Sequence, residues 1–262
     1  MKVVLFCGGL GLRLRDVSEG IPKPMMMIGQ RPLLWHVMKY YAHFGHKDFI
    51  LCLGYKAEVI KDYFLNYSEA ISNDFVLSGG GRDLKLLSKD IDDWRITFVE
   101  TGALSSIGQR LRAVRDHLAG EELFLANYSD GLSDLDLTRM IDQFRAEKRV
   151  GGFLCVRPKL SYHGVSLDET GRVTGIEPLS ESGPLINGGY FVLRSTIFDY
   201  LKEGEDLVGD ALPRLIAKNL LMGFRHEGFW ATMDTFKDKQ ALDQMYARGD
   251  APWELWKRSP AP

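Results

Sequence analysis

Residues 3–25, VVLFCGGLGLRLRDVSEGIPKPM, set an apolar run against Gly8, Gly9 and Gly11 and then two cations, Arg13 and Lys23. The run over residues 3–7 is continuously apolar rather than alternating, which predicts a strand covered on both faces, as at the centre of a parallel sheet. Glycines directly after such a strand let backbone N–H groups approach an anion without Cβ interference. The spacing excludes a Walker A loop, because Lys23 arrives late and has no Ser or Thr after it. It also excludes the dinucleotide fingerprint, which needs glycine where Leu14 stands. What remains is G-G-x-G-x-R-L, nine residues between Arg13 and Lys23, then Pro24. A solvated turn accounts for the glycines alone. Two cations flanking the loop at the carboxyl end of a strand, where open α/β sheets bind ligands, suit a triphosphate.

Outward from this stretch the chain alternates. PLLWHVMKYYAHFG, from Pro32 to Gly45, has helical apolar spacing, residues 49–53 read as a second buried strand, and 57–67 as a second helix. Residues 68–93 break the rhythm with Asn73, the Gly79-Gly80-Gly81 triplet and several charges, and read as an arm or hairpin outside the core. WRITFVE then predicts a strand, 106–118 a helix, 123–127 a strand and 135–147 a helix. From Val150 onward come short strands in GGFLCVRP, GVSLDE, GRVTGIE and GGYFVLR, in which INGGY reads as the start of a strand with a bulge. Helices over 195–201 and 212–219, a strand over 221–226, a loop in GFWATMDT and a helix over 236–247 complete the chain.

The expected fold is α/β: a Rossmann-like, mostly parallel sheet flanked by helices, with a mixed β lobe fused to it. No linker or repeat interrupts the 262 residues, so one domain is expected, with a nucleotide-binding half over 1–149 and a second half over 150–262.

A formal net charge of −2 excludes the broad positive field that tracking nucleic acid or an acidic membrane requires, so an anionic ligand must be held by a few local cations. Cys7, Cys52 and Cys155 are odd in number and far apart, which provides neither a disulfide framework nor a C-x-x-C pair and fits a reducing cytoplasm. The apolar run at residues 3–10 is too short to span a bilayer.

Two carboxylates stand out. Asp130 follows the apolar ELFLAN and precedes Gly131, at the carboxyl edge of a predicted strand beside the glycine loop; an Asx turn explains the same dipeptide, and spacing alone favours the turn. Asp234 lies in FWATMDT, where a helix N-cap is the plain alternative. There is no H-E-x-x-H, no G-x-S-x-G and no Cys/His dyad among the six histidines.

Taken together, G-G-x-G-x-R-L…K-P, RPLLWHVMKYY, DFILCLGYKAEVIKDYF, YSDGLSDLD, INGGYFVL and GFW..MDT..DK resemble, in order, the sugar-1-phosphate nucleotidyltransferases, and the glucose-1-phosphate cytidylyltransferase branch in particular. The resemblance spans nearly the whole chain. It implies a GT-A-like nucleotidyltransferase fold and transfer of a nucleotidyl group, with pyrophosphate released and an NDP-sugar formed. It implies Mg²⁺ held by Asp130 and Asp234, backbone contact with the nucleotide at Gly8, Gly9 and Gly11, and phosphates gripped by Arg13 and Lys23. It further implies that Arg110 is aimed at the pyrimidine base and that Gly164, Glu177, Asn187 and Gly188 line the sugar pocket. Read unaided, Arg110 is equally an exposed helix residue. The expected partners are a nucleoside triphosphate, foremost CTP, and a sugar-1-phosphate or related small phosphate, with the chain a homo-oligomer and no nucleic acid or membrane engaged.

The departures from the family pattern concentrate on the acceptor side. Leu12 replaces a threonine and Ile21 a lysine. Glu177-Pro178-Leu179 replaces E-K-P, whose lysine grips the sugar phosphate, and Tyr162-His163 and Ala231-Thr232 also depart from the branch. Retained nucleotidyl transfer with an altered acceptor is therefore expected. Two rivals are a metal-dependent glycosyltransferase using the D-x-D of Asp134 and Asp136, and a non-catalytic relative that senses nucleotide or nucleotide sugar.

Overall fold

The computed structural model describes residues 1–9, 20–158, 163–178 and 183–258. Gly11, Leu12 and Arg13, and likewise Lys159, Tyr162 and Leu179, lie outside the described residues. Seven strands form the central sheet: β1 (Lys2–Phe6), β2 (Asp48–Leu53), β3 (Arg95–Glu100), β4 (Leu123–Asn127), β5 (Gly151–Val156), β6 (Ile186–Arg194) and β7 (Leu221–His226). Their spatial order is β7-β5-β6-β4-β1-β2-β3. β1 is central and pairs in parallel with β2 and β4; β2 with β3 and β5 with β7 are also parallel. β6 alone runs against its neighbours β4 and β5, so the sheet is mostly parallel, as expected, and takes strands from both halves of the chain.

The continuous apolar run is explained by cover on both faces. Val3 and Leu5 point into one core with side chains of α1 (Leu33–His43), α2 (Ala57–Leu65), α4 (Leu137–Arg145) and α6 (Phe236–Arg248). Val4 and Phe6 point into the other, with Leu111 of α3 (Ile107–Ala113) and Leu212 and Leu215 of α5 (Leu212–Ala217). Strand side chains alternate between faces, so a strand buried twice has no polar position to show.

Local signals set the element ends. α1 begins after Pro32 and stops before Gly45, whose φ of 82° places it in the left-handed region that glycine tolerates. α6 opens with a capping box between Thr235 and Asp238 and closes at Gly249. The expected arm holds a hairpin, Phe75–Ser78 against Asp83–Leu86, turning through Gly79, Gly80 and Gly81. Asp90 ties the arm to the body by accepting from Arg31 Nη2 at 2.8 Å, Lys39 Nζ at 3.1 Å and Tyr67 Oη at 2.9 Å.

Three elements differ from expectation. The helix expected over 195–201 is a shorter 3₁₀ helix, Ser195–Asp199. The helix expected over 106–118 divides into α3 and a tighter 3₁₀ turn, Arg115–Leu118, which together bring Leu111, Val114 and Leu118 into one core. GFWATMDT is not all loop: Trp230–Thr232 pairs antiparallel with Gly131–Ser133. This long-range ladder fixes the segment that carries Asp130 against the segment that carries Asp234.

Candidate active site

Gly8, just past β1, packs on a buried arginine. Arg110 is 2% exposed, which overturns its reading as an exposed helix residue. Its Nη2 donates to Gly8 O at 3.0 Å and Ala103 O at 3.4 Å; Nη1 donates to Leu53 O at 3.3 Å and Thr101 Oγ1 at 2.8 Å. One guanidinium thus binds the carboxyl ends of β1, β2 and β3, using its planar fork of donors. Among the described residues it forms no ion pair. Burial lowers its pKa from the ordinary value, which is so high that the group stays charged at neutral pH.

Gly8 is required by this packing, because a Cβ there would fall 1.9 Å from Arg110 Nη1. Gly54 is required as well: its Cβ would lie 2.7 Å from both Gly8 O and Gly102 O. Gly54 was not among the expected site residues, although a glycine directly after β2 is the same signal as Gly8 after β1. Gly9 is exposed, with nothing within 4 Å of its Cβ position, so its backbone is open to a ligand.

Lys23 meets two carboxylates. Its Nζ donates to Asp130 Oδ2 at 2.9 Å and to Asp234 Oδ1 at 2.6 Å. Lys23 begins the 3₁₀ turn Lys23–Met25, whose Pro24 and Met25 are buried and anchor it. Asp130 is delivered by the turn leaving β4. There the Asx-type bond belongs to Asn127, whose Oδ1 accepts from Ser129 N at 2.7 Å while Ser129 adopts a left-handed φ of 63°. Asp234 does not cap α6, since Thr235 does; its Oδ2 instead accepts from Thr232 Oγ1 at 3.0 Å. Met233 N donates to Asp130 O at 3.0 Å and continues the short ladder.

Burial alone would lower Lys23, but Asp130 and Asp234 together outweigh it and hold the ammonium above its usual range. For Asp130, burial pushes the carboxyl up, with Asp234 adding repulsion and Lys23 opposing both. The lysine therefore stands as the cation between two carboxylates that would otherwise repel. Cys7, buried just past β1, is no nucleophile: burial pushes its thiol up to about 12, and Sγ donates to Ser129 Oγ at 3.5 Å.

Gly9, Arg110, Tyr128, Asp130 and Asp206, with the 103–107 segment, line an open cleft of about 570 Å³, within the size range of small-molecule sites. Lys23, Asp130 and Asp234 are thus brought together, and Asp130 and Gly9 border one cleft. The expected acceptor residues divide into two groups. Asn187 donates from Nδ2 to Tyr128 Oη at 3.0 Å and accepts from Gly189 N at 2.9 Å, so it holds a cleft-wall residue. Gly188 lies in the bulge expected in INGGY, where the β5–β6 register shifts; its carbonyl accepts from Trp230 Nε1 at 2.9 Å. Gly164 and Glu177 are cross-strand partners in a separate hairpin, His163–Leu167 against Val173–Pro178, with Glu177 exposed. The D-x-D pair is otherwise engaged. Asp134 Oδ1 accepts from Phe229 N at 2.7 Å and meets His226 Nε2 at 3.0 Å, and Asp136 caps α4 by accepting from Arg139 N at 3.0 Å.

Comparison with known proteins identifies the family. The profile of the family described as Nucleotidyl transferase matches residues 2–240. A probable glucose-1-phosphate cytidylyltransferase of Bacillus subtilis (strain 168) is 38% identical over 258 residues, covering 98% of this chain and all of the relative. The glucose-1-phosphate cytidylyltransferase of Salmonella typhi is 37% identical over 259 residues with the same coverage. Among solved structures, UDP-glucose pyrophosphorylase complexed with UDP-glucose superposes with a TM-score of 0.68 at 16% identity, covering 95% of this chain and 98% of the other, a likeness of fold.

Proposed function

Because the chain belongs to the nucleotidyl transferase family, we propose that it is an enzyme that joins CTP to a sugar-1-phosphate, releasing pyrophosphate and forming a CDP-sugar. The observation that carries this is the convergence of Asp130 and Asp234 on Lys23 at the edge of a cleft that also opens on Gly9.

In the reaction a phosphate oxygen of the sugar-1-phosphate attacks the α-phosphorus of CTP, the bond from that phosphorus to the bridging oxygen of the β-phosphate breaks, and pyrophosphate leaves. The attacking oxygen is already anionic at neutral pH, so no general base is required. This agrees with the inert Cys7 and the lack of a nucleophile–base pair in the sequence. What the site must supply is charge and position. Exposed Gly9 offers its backbone to the phosphates, and Lys23, kept protonated, offers its ammonium to the α-phosphate as negative charge builds there.

Asp130 and Asp234 fit Mg²⁺. Two carboxylates facing one cation are a hard-oxygen donor set of the kind that takes Mg²⁺ with substrate phosphates and water rather than in a closed protein cage. Among the described residues no group of three or more His, Cys, Asp or Glu is arranged to hold a metal alone. When bound, Mg²⁺ supplies Lewis-acid neutralisation of the reacting phosphates.

The test is pyrophosphate release from CTP and glucose-1-phosphate with Mg²⁺, alongside UTP, dTTP, ATP and GTP and a panel of other sugar-1-phosphates. No turnover with any pair would sink the proposal. Glu177-Pro178 without a following lysine leads us to expect a weak KM for glucose-1-phosphate that Pro178→Lys lowers; fast, selective turnover of CTP with glucose-1-phosphate by the unaltered chain would remove the altered-acceptor idea. The glycosyltransferase reading loses its motif, since Asp134 serves a histidine and the backbone N–H of Phe229, and Asp136 serves as a helix cap.

We further propose a cytoplasmic homo-oligomer. Val165, Leu167, Val173 and Ile176, opposed in pairs on the 163–178 hairpin, are each more than half exposed, which suits cover by a second copy. Among the described residues no helix is long and apolar enough to cross a membrane. Light scattering that yields only the monomer mass at micromolar concentration would contradict self-association.

A further inference from the structure

Of the two carboxylates that line the cleft, one faces no cation among the described residues. Of the polar side chains that line it, Arg110 spends both terminal nitrogens on strand ends, and Ser105 Oγ donates to Thr101 O. Ser106 Oγ donates to Glu205 O at 3.2 Å and accepts from Gln109 N, Tyr128 Oη accepts from Asn187, and Asp130 faces Lys23. Asp206 differs. Its Oδ2 accepts from Val208 N and Gly209 N, both at 3.0 Å, at the start of the helical turn Leu207–Ala211, while Oδ1 has no hydrogen-bond partner among the described residues.

The carboxylate is also held on a rigid support. Gly108 in the first turn of α3 lies so close to the 205–207 backbone that a Cβ would fall 2.3 Å from Glu205 O, and Ser106 bonds that same carbonyl. Asp206 thus belongs to the wall formed by α3 and its preceding loop, in the cleft that Gly9 and Asp130 also line.

We infer that Asp206 is the residue that selects cytosine over uracil or thymine, a specificity that rests on the nucleotidyl transfer proposed above. With the triphosphate toward Gly9, Lys23 and Asp130, the base occupies the remaining part of the cleft along the 103–110 segment and Asp206. Cytosine presents an exocyclic amine, N4–H₂, where uracil and thymine present the O4 carbonyl. A carboxylate oxygen accepts from the amine and repels the carbonyl, so one group provides both attraction to the right base and a penalty against the wrong one.

The experiment measures binding and turnover together. Calorimetric titration of CTP and UTP with Mg²⁺, and kcat/KM for each with the preferred sugar-1-phosphate, are compared for the unaltered chain, Asp206→Asn and Asp206→Ser. Both substitutions keep a side-chain oxygen able to cap the turn and remove the second acceptor, and Asn places a donor there. The unaltered chain is expected to favour CTP by on the order of 10²-fold, and both variants to lose at least about 10-fold of that preference, with UTP gaining in Asp206→Asn. Unchanged CTP/UTP ratios in variants that melt within a few degrees of the parent would overturn the assignment. Base preference that depends on Asp206 in binding, without turnover in the parent, would uphold Asp206 while refuting the transferase reaction.

Discussion

Lys23 and Asp234 are 211 positions apart in the chain, and their side chains meet at 2.6 Å. Asp130, 107 positions from Lys23, completes the cluster on the same ammonium at 2.9 Å. Each partner reaches the cluster on a different support: Lys23 on a 3₁₀ turn after the glycine loop, Asp130 on the turn leaving β4, and Asp234 on the segment paired with Gly131–Ser133.

Removing either carboxylate's charge should end the chemistry while sparing the fold. Asp130→Asn and Asp234→Asn are each expected to lower Mg²⁺-dependent pyrophosphate release by on the order of 10²-fold or more, equivalent to roughly 3 kcal/mol of transition-state stabilisation. Circular dichroism should remain that of the parent. Near-parental rates in both variants would refute the assignment of these two carboxylates to the metal.

Lys23→Ala distinguishes binding from catalysis. If the ammonium serves the α-phosphate as charge develops, kcat falls more than the KM for CTP rises. A change in KM alone would make Lys23 a ground-state anchor.

Arg110 is predicted to be a stability residue as well as a wall of the cleft. Arg110→Met keeps much of the volume and deletes every donor, leaving Gly8 O, Leu53 O and Thr101 Oγ1 without that partner. Gly8 O keeps its bond from Tyr55 N and Leu53 O its bonds from Thr101, so the cost is that of the bonds lost: at about 1 kcal/mol for each of these three, urea unfolding should show a loss of about 3 kcal/mol through a lower midpoint at an unchanged slope. An unaltered midpoint would mean that water replaces the guanidinium without cost.

His36 should make folding acid-sensitive. It is fully buried; Nδ1 accepts from Trp253 Nε1 at 3.3 Å and Nε2 lies 3.2 Å from Ile28 O, a pairing that suits the neutral ring with its proton on Nε2. Burial, aided by Lys257 and Arg31, lowers its pKa to about 4 against the bond to Ile28. Between about 6.5 and about 4 the unfolded chain takes a proton that the folded chain refuses, so stability is present above this window and is lost as pH falls through it. The loss is on the order of 3 kcal/mol. His36→Gln should be less stable at pH 7 and should lack this share of the slope in urea titrations repeated from pH 7 to pH 4. Parallel slopes for parent and variant would contradict it.

The sequence by itself determined the α/β class, the central strand and most element boundaries, because these depend on local periodicity and on chain-stop signals. The apolar run of β1 required cover on both faces, Gly45 and Gly249 marked helix ends, and the Gly79-Gly80-Gly81 triplet marked a hairpin outside the core. It also nominated Lys23, Asp130 and Asp234, with family motifs choosing the carboxylates over the plainer turn and cap. What only the tertiary structure decided are facts of long-range pairing. The register of Trp230–Thr232 on Gly131–Ser133 binds the segments carrying the two aspartates, the convergence of three strand ends buries Arg110, and the packing of Gly108 against residues 205–207 brings Asp206 to the cleft. Neither Arg110 nor Asp206 announces its place through its neighbours in sequence. The partners that give them meaning lie on other strands and loops, and those contacts exist only once the sheet has closed its order.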